Sequence, residues 1–130
     1  MTYQELYDAS LALVGEYGTN ADTSDYLERA PFLLASGYSE CTSLDAVYRR
    51  STGIPSVPYP TVVCVTLSDP FPLAEVFALP VTYYLSAMLT IEESEELSDR
   101  FFSLYTDAME SIRASLTAKT ESITDRYHLN

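Results

Sequence analysis

A chain of 130 residues with 47% hydrophobic content has enough apolar material for one buried core, and two domains of half that length would each be marginal. Nineteen acids against seven bases set the formal charge at −12, which excludes binding to nucleic acid or an anionic membrane by charge. The blandest use of that charge is solubility. One histidine, His128, and two cysteines without CxxC spacing, Cys41 and Cys64, leave little material for a His-based metal site, a catalytic triad or a disulfide framework.

No run of apolar residues is long enough to span a membrane, and the acid in Met1-Thr2-Tyr3-Gln4-Glu5 argues against a signal peptide. The first helix opens at Thr2, whose hydroxyl forms a capping box with Glu5. Tyr3, Leu6, Tyr7, Leu13, Val14 and Tyr17 recur at helical spacing, Gly18 supplies a stop, and 19–22 reads as a polar loop. A second helix opens near Thr23 or Ser24 and carries Tyr26, Leu27, Ala30, Leu33 and Leu34. Pro31 either kinks it or begins a fresh turn. It reaches Cys41, and Ser43 caps a short third helix with Leu44, Val47 and Tyr48 that stops before Gly53.

Residues 51–60 hold Pro55, Pro58 and Pro60 and favour extended geometry. Thr61 to Leu67 is β-branched and short, which predicts a strand. Its partner is either the Ile54–Tyr59 segment or a strand of another subunit. After the turn at 68–72 a helix is expected near Leu73, apolar nearly all round and interrupted at Pro80. Glu92-Glu93-Ser94-Glu95-Glu96 reads as a turn or cap, followed by a helix whose stripe is Leu97, Phe101, Leu104, Tyr105, Ala108, Ile112 and Leu116. The expected fold is mainly α. It is a small bundle of four to five helices, with one short β segment or hairpin between the N-terminal and C-terminal helices. Residues 1–118 form a single domain that includes the 51–67 proline-rich loop and strand, and 119–130 form a C-terminal tail.

Chemistry-bearing motifs are few. Glu92, Glu93, Glu95, Glu96 and Asp99 could offer oxygens to a divalent cation, but the spacing lacks an EF-hand pattern, and a solvated helix start explains the run. There is no GxSxG, GxGxxG or GxxxxGK[ST], so neither a serine nucleophile nor a phosphate loop is on offer, and no cofactor is expected. Paired carboxylates are not singled out anywhere. Eleven tyrosines suit either protein interfaces or core packing with the hydroxyl at the surface. The tail gathers Ile123, Arg126, Tyr127, His128 and Leu129, a mixture that fits docking on a partner or folding back on its own domain.

The block Thr66-Leu67-Ser68-Asp69-Pro70-Phe71-Pro72-Leu73, the run Leu79-Pro80-Val81-Thr82-Tyr83-Tyr84-Leu85-Ser86-Ala87-Met88-Leu89 and the stretch from Glu92 to Tyr105 resemble the head–tail connector (adaptor or head-completion) proteins of tailed bacteriophages. Ser86 stands where the family pattern has alanine. The resemblance covers less than half of the chain, and the N-terminal helices share only its character. It implies a virion structural protein, not an enzyme, made in the bacterial host cytoplasm and located in the neck between capsid and tail. Such a protein forms a homo-oligomeric ring, usually twelve-fold, under the portal protein and carries the next neck or tail component, a stopper or tail tube. DNA passes through the channel without specific binding. The resemblance assigns portal docking to the tail residues Ile123, Arg126, Tyr127, His128 and Leu129. Subunit contacts then fall to Ile54, Val57, Tyr59, Val62 and Val63. Two other readings stay open: another neck or tail-completion protein, and a small helical enzyme or regulator with a carboxylate-lined site.

Overall fold

The computed structural model describes the backbone of residues 1–16 and 23–127, and the side chains of 1–15 and 25–116. Among these residues the chain forms four α-helices: α1 (Tyr3–Glu16), α2 (Thr23–Thr52), α3 (Ala78–Thr90) and α4 (Glu95–Tyr127). A 3-10 turn at Glu75–Phe77 leads into α3. The mainly helical expectation is met.

α3 is the central element, packed by α1, α2 and α4. Val81, Leu85, Ala87 and Leu89 are fully buried within it, so it is apolar on more than one side. Three buried hydroxyls interrupt that surface. Thr82, Ser86 and Thr90 each donate to the carbonyl four residues earlier, at 2.8, 2.9 and 2.8 Å. Back-bonding of this kind satisfies a hydroxyl without an outside partner and keeps the helix surface small. Ser10 of α1 then meets Ser86 at 2.8 Å, and Ser98 of α4 donates to the Ala87 carbonyl at 2.8 Å. On the α2 side Gly37 allows close approach, because a Cβ there would lie 3.0 Å from the ring of Tyr84.

Several boundaries differ from expectation for definite reasons. α2 is one continuous helix of 30 residues that runs through Pro31 and absorbs the separate third helix. The carbonyl freed by Pro31 belongs to Leu27, on the exposed side, where water can take it. Gly53, at φ 75°, ends the helix, and the Ile54 amide donates back to the Arg49 carbonyl at 3.0 Å in a Schellman arrangement. α3 starts at Ala78 rather than near Leu73, so Pro80 falls in its first turn. No backbone hydrogen bond is lost there, and the expected interruption does not occur. α4 opens on Ser94, whose hydroxyl accepts from the Leu97 amide at 3.1 Å. Its helical backbone passes Lys119 and continues to Tyr127, so most of the expected tail is continuous with the helix.

The expected strand at 61–67 is absent, and there is no strand among the described residues. Residues 53–74 instead form an extended strap. α1 begins with amides that no helical carbonyl can reach, and the strap supplies the acceptors. Tyr3 donates to Asp69 at 3.1 Å and Gln4 to Leu67 at 2.8 Å. The one bridge pairs Thr2 with Pro70. Val65 donates to the Pro31 carbonyl at 3.1 Å. Within Thr61 to Leu67 the Val65 amide and the Leu67 carbonyl therefore bond to helical residues, and the Thr66 carbonyl closes a local turn with the Asp69 amide. Among the described residues neither Ile54–Tyr59 nor any other strand pairs with the segment.

Candidate assembly surface

Asp45 holds the strap to α2. It lies on the inner face of α2 with a side-chain exposure of 0%. A buried carboxylate is tolerable only when fully engaged, and three donors reach it. Arg49, one turn on, gives its Nε to Oδ2 at 2.7 Å. The Tyr59 hydroxyl donates to the same oxygen at 2.5 Å. The Ala74 amide donates to Oδ1 at 2.8 Å, where the 3-10 turn begins. Arg49 spends its two terminal nitrogens on the carbonyls of Pro55 and Pro72, each at 3.2 Å. One ion pair thus grips the strap near its start, at Tyr59 and near its end. Burial, then the hydrogen bond to Asp45, push the Tyr59 phenol up to about 12. The hydrogen bond to Asp45 raises Arg49 above its ordinary value.

The strap alternates between the core and solvent. Tyr59 and Val62 pack inward against the core, Val57 is half-buried, and Ile54 and Val63 face outward, at 40% and 77% exposure. The five expected contact residues therefore divide: Ile54 and Val63 present apolar surface, while Tyr59 and Val62 anchor the segment. The tyrosines divide too. Tyr26, Tyr38 and Tyr84 are buried and place their hydroxyls on Glu93, on the Pro60 carbonyl at 3.2 Å and on Ser36 at 2.7 Å. Tyr84 also packs against Phe102 in a tilted contact and Tyr105 in an edge-on one, at centroid distances of 6.3 and 5.5 Å.

At the far end of α2 the acidic run forms the turn into α4. Tyr26 donates to Glu93, and Arg29 donates to the Met88 carbonyl at 2.8 Å. Burial, followed by this contact with Glu93, holds the Tyr26 phenol far above its ordinary value. Glu92, Glu95 and Glu96 are exposed. Among the described residues no group of three His, Cys, Asp or Glu is placed to hold a metal ion, and no helix is long and apolar enough to cross a membrane. Cys41 is buried and Cys64 exposed, and burial pushes the Cys41 thiol up to about 12. Of the expected docking residues, His128 and Leu129 lie outside the described residues, as do the side chains of Ile123, Arg126 and Tyr127.

Sequence reasoning missed Asp45 and Arg49 as the organising pair. Their four-residue spacing on one helix was a signal, but an i,i+4 pair of this type usually sits at the surface. No family model, curated protein or solved structure matches the chain.

Proposed function

We propose that the chain is a head–tail adaptor of a tailed bacteriophage, a virion structural protein that assembles as a ring under the portal. It extends the DNA channel and carries the next component of the neck. The observation that carries the reading is the strap. It is an extended segment without a strand partner, fixed at three points by one buried ion pair, and it exposes Ile54 and Val63 on a strongly acidic subunit. A rigid apolar edge suits repeated subunit contacts, and net negative charge suits a channel along which DNA slides. The 66–105 block, with its resemblance to connector proteins, supports the same reading.

Assembly with the portal protein of the same phage tests it. Electron microscopy of the mixture is expected to show an added ring below the portal. Deleting 121–130 is expected to abolish portal binding while leaving the helical circular dichroism of the bundle in place. A portal that stays bare with the full chain, together with unchanged binding after the deletion, sinks the proposal.

A further inference from the structure

The C-terminal end of α2 carries a depression of about 460 Å³ lined by Ala46, Arg50, Ile54, Ser56 and Tyr59. Its floor is fixed, because Tyr59 is held by Asp45. Its charge is unusual for this molecule. Arg29, Arg49 and Arg113 are paired with Asp25, Asp45 and Glu110, and Arg100 is engaged as well. Among the arginines whose side chains are described, Arg50 alone makes no hydrogen bond or ion pair, and it stands exposed beside the apolar Ile54.

The opposite end of α2 offers the complement. There the α3–α4 turn presents Ile91, 51% exposed, beside the exposed carboxylates of Glu92, Glu95 and Glu96. Tyr26 ties that turn to the start of α2 through Glu93, and Arg29 ties the last turn of α3 to it through the Met88 carbonyl, so the turn is held before any encounter. From Tyr26 to Arg50 the helix rises roughly 36 Å. The two patches thus lie at opposite ends of the subunit.

We infer that the Arg50 depression receives the Ile91–Glu96 turn of a second copy of this chain, head to tail; closure of the repeated contact into a ring rests on the adaptor reading above. Charge selects this orientation. Two copies at −12 repel over most of their surfaces, and a contact that brings an unpaired guanidinium to a cluster of carboxylates is where the field turns attractive. Ile91 meets the wall of Ala46 and Ile54, while the carboxylates reach Arg50. Each subunit keeps one patch free after docking, so the contact passes from copy to copy and closes if the rotation allows.

Two variants, each blocked at one end, isolate the contact. E92Q/E95Q/E96Q keeps the depression, and R50A keeps the turn. Isotope-labelled E92Q/E95Q/E96Q is titrated with unlabelled R50A and followed by NMR, and wild-type chain is sedimented at rising concentration. Amide shifts are expected at Ala46, Arg50, Ile54 and Tyr59, saturating at one to one. Affinity is expected to fall about tenfold or more when salt rises from roughly 50 to 500 mM. Wild-type chain is expected to grow past two copies. Shifts absent from those residues, shifts that persist when the labelled subunit also carries R50A, or wild-type association that stops at two overturns the inference. The outcomes separate from those of the adaptor reading. Portal rings formed by R50A at the wild-type level remove this contact and leave the adaptor, whereas an intact mixed pair with a bare portal supports the contact and removes the adaptor.

Discussion

Asp45 shows how much one side chain can organise. It joins α2 to Tyr59, to the start of the 3-10 turn and, through Arg49, to two proline carbonyls. Removing one partner of a buried pair leaves the other charge uncompensated, at about 3–5 kcal/mol. Asp45→Ala is expected to lower stability by about that amount in urea titrations and to open the strap to protease. Tyr59→Phe removes one hydrogen bond to a charged group and is expected to cost about 1.5–3 kcal/mol in the same titration. The cysteines give a second check at this scale. Burial holds Cys41 as a thiol while Cys64 is exposed. One thiol is therefore expected to react with a disulfide reagent in the folded chain, and both after unfolding.

Among the helices, the legible features were those written in local chemistry. The Thr2 hydroxyl accepts from the Glu5 amide at 3.3 Å, which is one half of the expected capping box. Gly53 ends α2, and the serine within the acidic run caps α4. What escaped depends on tertiary placement. Pro31 reads as a break unless its freed carbonyl is known to face water, and Pro80 reads as a break until the start of α3 is known. Thr61 to Leu67 has strand composition but meets the start of α1 and the Pro31 carbonyl within α2 in place of a strand. The α2–α3 crossing could not be read at all, because it rests on Gly37 beneath Tyr84. Tyr84 is tethered to Ser36 and packed at an angle against Phe102 and Tyr105, so it has little room to yield. Gly37→Ala gains about 1 kcal/mol of helix propensity and meets overpacking of about 1–3 kcal/mol. A modest net loss of stability is expected, and a rise in melting temperature would show that the ring moves freely. Leu85 is fully buried, and Leu85→Ala is expected to cost about 2–5 kcal/mol in denaturant. The half-buried Leu104 should cost less.

For the molecule as a whole, burial is the leading reason that the phenols of Tyr3, Tyr59 and Tyr105 rise from 10.0 to about 12. A raised pKa in the folded state means that folding favours the protonated form. Its contribution is complete below about pH 10, where unfolded tyrosine begins to ionise, and is lost as pH rises through about 12. Melting temperature is expected to hold up to about pH 10 and then fall, with tyrosinate absorbance rising as the chain unfolds. A chain that keeps its melting temperature to pH 12 would remove burial as the cause. The strap has a consequence for how such a subunit can change. Arg49 grips it through main-chain carbonyls at Pro55 and Pro72, and α1 grips it through those of Leu67 and Asp69. None of those grips reads a side chain. The outward residues Ile54 and Val63 are thus free to be rewritten, and the molecule can be given a new neighbour while its scaffold stays as it is.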